Sequence, residues 1–352
     1  MKIAVTADLH LTTYGEHPER YNALESILQQ LKGQGIDTLI IAGDLFDKNF
    51  HNYSEFEGLC RQYPHVRMYI IRGNHDAEIS DEHIAVPNIH VYSIPSAESF
   101  DSMTFLFIPY KEKVSMSEQI TACETDIKDK DWVLIGHGDY YGGLKEANPL
   151  EPGTFMPLSR ENVSMFRPHT VLLGHIHKPL QYENVYYAGS PCGLDLSETG
   201  KRRFLVYDTA ERKVNSCGLV PDVLYFDESF VIVPAQNETM LLKQEIERRI
   251  ASWELDQTDH AKVIVRVNAS GYAMDRKAVL TTMKEYFDRF RYYHGDGPSI
   301  DDLEVGTDYQ LNALAERAIQ LIDEMQWDFG AEEPDRELVK LEALKAIYRN
   351  KR

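Results

Sequence analysis

Several things are scarce in this sequence, and each shortage removes a class of protein. The four cysteines, Cys60, Cys123, Cys192 and Cys217, are scattered, with no CxxC pair and no Cys/His zinc spacing. Neither a disulfide framework nor a structural zinc module is encoded, and isolated thiols in a reducing compartment are the expectation. No stretch approaches the roughly 20 apolar residues of a membrane span, and the opening MKIAVTADLH lacks the apolar core of a secretory leader. The expected location is cytoplasmic, with no membrane contact. Positive charge is scarce too, with 37 Lys and Arg against 56 Asp and Glu, a net charge of −19. A broad basic face that coats nucleic acid is excluded, because such binding needs many phosphate neutralisations. Any phosphate substrate must find a local positive site.

What is present is material for a sizeable core. Hydrophobic residues make up 43% of the 352-residue chain and aromatics 11%, with no low-complexity tract, which suits one large domain and a smaller one or two. Short β-rich runs at residues 3–7, 38–42, 66–71, 104–108, 132–135 and 170–173 are apolar enough for a central sheet covered on both faces. Between the first two, Leu24, Ile27, Leu28 and Leu31 recur at helical spacing before a Gly-rich stop. The pattern is α/β. After about residue 180 shorter strands separated by turn residues predict a second, mostly antiparallel sheet. Pro221 marks the expected edge of the main domain. Beyond it the pattern is a helix over 239–255, a strand at KVIVRV and a helix over 275–290. The tail from residue 308 holds two amphipathic stretches, Leu311 to Met325 and Leu338 to Tyr348. They can pack on the chain's own second domain or offer an apolar stripe to a partner helix.

The chemistry sits just past the strand runs. The first is followed by Asp8 and His10, the second by Asp44 and Asp47, and the third by Asn74, His75 and Asp76. His137 follows the fifth, and His175 and His177 follow the sixth. Ligands of an open α/β sheet gather at the carboxyl ends of its strands, so these loops converge if the strands lie side by side. Taken singly, an Asp in a turn is there for turn chemistry and a His is a hydrogen-bonded structural residue. Repetition at five strand ends argues against that reading. Nitrogen and oxygen donors without sulfur suit manganese, iron, cobalt or zinc. Seven such donors exceed the four of a tetrahedral zinc site and suit two metals sharing a carboxylate.

In order and spacing these residues resemble the calcineurin-like binuclear metallophosphoesterase superfamily, with its D-x-H, G-D-x-x-D, G-N-H-D/E, H and G-H-x-H motifs. Every element is present over roughly residues 1 to 210. The resemblance implies a four-layer αββα sandwich of two mixed β-sheets. It implies that Asp8, His10 and His177 hold one divalent ion, that Asn74, His137 and His175 hold a second, and that Asp44 bridges them. Two divalent ions bring about +4, which two carboxylates and a bridging hydroxide reduce to about +1, an electropositive spot for a phosphodiester. Ions roughly 3.5–4 Å apart lower the pKa of bound water and stabilise both ends of an in-line displacement. By the same resemblance His75 assists the leaving oxygen, Asp47 orients His75 and favours its charged form, and Asp76 is structural support.

Within the superfamily the ADLHL opening, AGDLFD and GHIHKP followed by YYAGSPCGLDLSETGKRRFLVYD are similar to SbcD-type DNA repair nucleases. That likeness implies a metal-dependent exonuclease or endonuclease subunit with two divalent cofactor ions, Mn2+ before Fe, Zn or Co, and DNA as substrate. It also implies an SMC-like, SbcC-type ATPase partner with a coiled coil, and a homodimer is a further expectation. The implied domains are a catalytic domain over 1–220, a small α/β capping domain over 221–300 and C-terminal helices over 301–352. Lys178, Lys201, Arg202 and Arg203 are candidates for DNA contact, against the plain reading of a solvated charge cluster. One departure stands out. Archaeal and eukaryal relatives of SbcD carry a His three residues after the bridging Asp, where this chain has Asp47, so a mechanism that needs that His does not carry over. A small-molecule phosphodiesterase or phosphatase, and a non-catalytic scaffold, are the other readings.

Overall fold

A computed structural model describes residues 1–141, 154–219, 221–306, 308–326 and 335–349. The chain forms two compact units: Met1–Gly193 with Lys201–Asp222, and Leu194–Gly200 with Val223–Arg352.

In the first unit the elements run β1 (Lys2–Thr6), α1 (Pro18–Gln34), β2 (Thr38–Ala42), α2 (Ser54–Gln62), β3 (Arg67–Ile71), β4 (Ile89–Tyr92), β5 (Ser96–Phe100) and β6 (Met103–Ile108). They continue as α3 (Met116–Ala122), α4 (Glu124–Ile127), β7 (Trp132–His137), β8 (Tyr140–Tyr141), β9 (Leu158–Ser159) and α5 (Arg160–Phe166). The unit closes with β10 (Thr170–Gly174), β11 (Leu180–Tyr182), β12 (Val185–Tyr187), β13 (Arg202–Asp208) and β14 (Lys213–Leu219).

Two six-stranded sheets result, in the orders β14-β13-β1-β2-β3-β4 and β11-β12-β10-β7-β6-β5. In the first, β1 to β4 are parallel and β13 joins β1 antiparallel, with Ile3 opposite Tyr207. In the second, β6, β7, β10 and β12 are parallel and the edge strands β5 and β11 antiparallel. The early strands therefore do not share one central sheet, and the late ones do not form a sheet of their own. The composition of β13 explains where it goes. Its apolar residues are buried on both faces, Phe204 and Val206 on the helix side and Leu205 and Tyr207 between the sheets, so it needs an interior place. The following β14 alternates towards solvent and makes the edge.

Three apolar layers separate four structural ones. Ile3, Val5, Ile40, Phe105, Phe107, Ile135 and Leu172 fill the space between the sheets. Leu24, Ile27, Leu28, Leu31 and Phe56 seat α1 and α2 on the first sheet. Met116, Ile120, Ile127 and Val163 seat α3, α4 and α5 on the second. Pro18 opens α1 where a missing N–H costs nothing, and Gly35 closes it at φ +67° with its N–H on the Leu31 and Lys32 carbonyls.

The second unit holds β15 (Leu224–Ile232), α6 (Glu238–Ser252), β16 (Val263–Ala273), α7 (Arg276–Phe287), β17 (Arg291–Tyr292), β18 (Leu303–Val305), α8 (Tyr309–Glu324) and α9 (Arg336–Arg349). Its strands are all parallel around β16. Trp253 stacks on Phe226 at 4.1 Å and donates its indole N–H to Glu228 at 2.7 Å, so the large ring is buried with its polar end satisfied. Ala315 of α8 and Leu344 and Tyr348 of α9 pack with Tyr272 of β16. Leu314, Leu321, Met325 and Leu338 of the same tail stripes are exposed. No helix among the described residues is long and apolar enough to cross a membrane.

Candidate metal centre

Adjacent parallel strands bring the first two loops together. The pairing of β1 with β2 continues past the strand ends, with Asp8 N–H donating to Gly43 O at 3.1 Å, His10 N–H to Asp44 O at 3.0 Å and Leu11 N–H to Leu45 O at 2.9 Å. Asp8 and Asp44 are thereby held side by side. The second sheet does the same with its loops, since Gly174 lies opposite His137 in the β7–β10 ladder and Gly138 N–H donates to Gly174 O at 3.2 Å. The His175 N–H then donates to Asp8 Oδ1 at 2.8 Å, joining one sheet's loops to the other's. Asp8, His10, Asp44 and His175 all have positive φ, from 46° to 95°. Such conformations are costly for non-glycine residues and gather at functional sites.

Crowding sets the neighbouring residues. A Cβ on Gly73 would stand 1.9 Å from Asp44 Oδ1, and one on Gly174 would stand 2.1 Å from Ala42 O. The glycines of GNHD and GHIH leave room for the loops to meet.

The donor atoms form two groups around Asp44. His10 Nε2 and His177 Nε2 are 3.0 Å apart, and Asp8 belongs to the same cluster. On the other side Asn74 Oδ1 is 2.9 Å from His137 Nε2 and 3.1 Å from His175 Nδ1. Asp44 Oδ2 lies between, 3.8 Å from His10 Nε2 and 3.3 Å from His137 Nε2. All of these except the half-buried Asn74 are buried. His137 donates its Nδ1–H to Ala42 O at 2.9 Å, which turns the Nε2 lone pair towards Asp44 and Asn74.

The electrostatics fit divalent cations. Burial drives the Asp8 carboxyl up from its ordinary range, while at Asp44 the His137 imidazole overcomes burial and pulls it well below. Despite burial, Asp44 pushes His137 up to about 9. Asp8 Oδ2 is buried and has no hydrogen-bond partner among the described residues. A buried, unpartnered carboxylate oxygen beside two imidazoles is costly alone and well placed as a ligand.

His75 and Asp47 stand beside these clusters. The Asp47 Oδ1 is 3.1 Å from His75 Nδ1, and the His75 N–H donates to Asp44 Oδ1 at 2.9 Å. Asp47 does not touch His75 alone. Its carboxylate also lies 3.8 Å from His10 Nδ1 and 3.5 Å from Arg20 Nη1. Against half-burial, the His10 and His75 imidazoles draw its pKa well below the usual range. Arg20 escaped the sequence reading. It sits in the first turn of α1, is 7% exposed and also donates to His10 O; a lone Arg in an amphipathic helix carries no local signal. Asp139, two residues past His137, is a further buried acid at the centre. It lies 3.7 Å from His175 Nε2 and accepts the Phe155 N–H at 2.8 Å.

Two of the four candidates for DNA contact turn to backbone carbonyls. Arg202 is buried and its guanidinium donates to Ser190 O at 2.9 Å and His177 O at 2.7 Å. Arg203 is half-buried and donates to Leu180 O and Tyr187 O. Both are spent on backbone carbonyls, Arg202 bracing the His177 loop. Lys178 and Lys201 are exposed.

The family model for calcineurin-like phosphoesterases matches residues 1–196. The chain belongs to that family. Like the rest of the calcineurin-like phosphoesterases, it is a hydrolase of phosphoesters, and its donor clusters are candidate metal sites. It is 24% identical over 242 residues to the SbcD component of the SbcCD nuclease of Staphylococcus saprophyticus, a match spanning 56% of this chain and 63% of that relative's length. Among solved structures, a novel archaeal phosphodiesterase is 13% identical with a TM-score of 0.36, over 62% of this chain and 100% of that one. A dimetal phosphatase from Danio rerio is 10% identical with a TM-score of 0.40, over 62% and 95%.

Proposed function

We propose that this calcineurin-like phosphoesterase is a two-metal phosphodiesterase acting on DNA, a repair nuclease subunit of the SbcD type, with manganese as its metal. The observation that carries the reading is Asp44 standing between two donor triads with His75 hydrogen-bonded at its edge. Asp8, His10 and His177 would hold one ion, Asn74, His137 and His175 the other, and Asp44 both. When bound, the ions supply Lewis-acid stabilisation of the phosphate and an acidified water.

The remaining work falls to the chain. Neutral Asn74 and the imidazoles keep the site electropositive, so a diester anion binds inside an acidic protein. His75, charged and aligned by Asp47, donates a proton to the leaving oxygen, and Asp47 stabilises the imidazolium before that transfer. Arg20 fixes the Asp47 carboxylate and the His10 backbone, while Arg202 fixes the His177 backbone. Residues 221–300 are read as a capping domain and the helices of 301–352 as a docking segment for an SbcC-type ATPase, in a cytoplasmic and homodimeric complex. Supporting this is the likeness to the SbcCD nuclease component. A small-molecule phosphodiesterase is the competing reading, favoured by Arg202 and Arg203 being bound to backbone carbonyls.

The test is purified protein with manganese on linear DNA, hairpin DNA and bis(p-nitrophenyl) phosphate, with Asp44→Asn as control. Metal-dependent DNA cleavage abolished by the variant is expected. Turnover of the aryl ester alone, with no DNA degraded even when an ATPase partner is added, sinks the nuclease reading.

A further inference from the structure

The lysines that sequence order places near the ligand motifs are not the best-placed cations in this unit. A groove of about 510 Å3 opens beside Asn74, on the side of the second donor triad, and Lys48, Arg72 and Lys111 all line it. Arg72 directly follows β3, two residues before Asn74. Its Nε donates to Ile79 O, which holds the guanidinium while its terminal nitrogens have no protein partner among the described residues. Lys111 is exposed and likewise makes no side-chain ion pair among them. The acid of the groove, Glu112, is 3.1 Å from the neighbouring Lys113. In a chain of net charge −19, Arg72 and Lys111 on one groove form a local anion site.

One wall of the groove is aromatic. Tyr110 is tied to Arg72 by its N–H on Arg72 O at 2.9 Å, and its ring lies 6.3 Å from that of Phe155. The pair runs on into the donor triad, with Tyr110 6.4 Å from the His137 ring and Phe155 4.6 Å from the His175 ring. At the rim Ile94 is 69% exposed, an apolar side chain left open to solvent beside the cations. Aromatic and apolar surface next to cations suits a nucleobase stacked beside its phosphate, whereas a simple phosphomonoester has nothing to place there.

We propose that this groove binds the nucleotide adjoining the scissile phosphate, its base on the Tyr110–Phe155 wall and its phosphate at Arg72 and Lys111. The proposal rests on the phosphodiesterase reading and gives that site a substrate class, a single-stranded nucleotide chain. The recognised unit is one nucleotide, so a dinucleotide and a strand end share the chemistry.

The experiment measures binding separately from turnover. Dissociation constants of a fluorescein-labelled hexadeoxynucleotide and of labelled pTpT are determined by anisotropy on the full chain with calcium in place of manganese, for wild type, Lys111→Ala, Tyr110→Leu and the double variant Arg72→Gln/Lys111→Ala. Lys128→Ala, an exposed lysine elsewhere, is the charge control, and melting profiles monitor folding. The double variant is expected to weaken both ligands about tenfold or more and to lower the salt slope by roughly 0.7 for each phosphate it no longer neutralises. Because the Lys111 side chain is exposed, Lys111→Ala folds and carries the test alone, with about a threefold loss expected. Binding of the hexamer within twofold of wild type in these variants overturns the proposal. Loss confined to the hexamer, with pTpT unaffected, overturns the placement next to the scissile phosphate. Failure of the wild type to hydrolyse either DNA or bis(p-nitrophenyl) phosphate with manganese sinks the phosphodiesterase reading instead, and the binding comparison still decides the groove.

Discussion

Asp76 offers a sharp test of how the centre is held together. Its buried carboxylate accepts the N–H of Leu45 at 2.8 Å and of Phe46 at 3.2 Å on one oxygen, and that of Gly73 at 2.7 Å on the other. It therefore ties the loop carrying Asp44 to the loop carrying Asn74 and His75. Burial and then the Asp44 charge push its pKa up to about 6, while the Gly73 and Phe46 N–H groups hold it back. Asp76→Ala leaves three buried donors without an acceptor, at about 1–3 kcal/mol each. Water entering the space keeps the sum near the low end, about 3–5 kcal/mol. For a unit of this size each kcal/mol lowers the midpoint by about 2–4 °C, so a fall of about 6–20 °C is expected. Asp76→Asn keeps one carbonyl oxygen and should cost about 1–3 kcal/mol. Calorimetry of the metal-free protein reads the first unit's transition, and titration calorimetry reads manganese affinity, which should weaken in the same order. An alanine variant that melts within about 3 °C of wild type, or an asparagine variant worse than alanine, would refute this account.

Asp47→Asn should keep two bound ions yet lose about 10²–10⁴-fold in kcat through misaligned, less basic His75; metal analysis showing ions lost, as expected for Asp44→Asn, would contradict it. His137 predicts a pH effect with a definite sign. Its folded value of about 9 exceeds the ordinary 6.5 because of Asp44, so in metal-free protein its contribution is full below pH 6.5 and lost as pH rises through 9. An ion must displace that proton, so manganese affinity should climb over the same window with protons released at about pH 7. Melting scans and titrations in buffers of different ionisation enthalpy check both, and a metal-free midpoint that rises between about pH 7 and 9 rules this linkage out. Gly73→Ala forces a Cβ to within 2.3 Å of Asp44 N and should abolish metal uptake. Gly58→Ala in α2, where a Cβ meets nothing within 4 Å, should be neutral or stabilising by about 0.5–1 kcal/mol; equal damage from both would sink the steric reasoning.

Local pattern carried far in this protein. The apolar runs match β1, β2, β3, β6, β7 and β10 to within two residues at each end, because a strand buried on both faces must be apolar at every position. A donor just past each of five such runs could be read for the same reason, since chain leaving a buried sheet is where polar side chains first become possible. Sequence by itself thus determined the element types and the N/O character of the site. Only the tertiary structure decided that the strands divide between two sheets, that β13 crosses back to β1, and that His175 meets Asp8 across 167 positions of chain. It also decided which charges are spent. In the run Lys201-Arg202-Arg203 three adjacent cations look alike, yet Arg202 is 3% exposed and bound to carbonyls while Lys201 faces solvent. Arg20, in the first turn of α1, becomes a neighbour of Asp47 only through packing. Burial and partnership of a charge depend on segments distant in sequence, whereas hydrophobic periodicity depends on the nearest few residues, and that difference in range separates what could be read from what had to be folded.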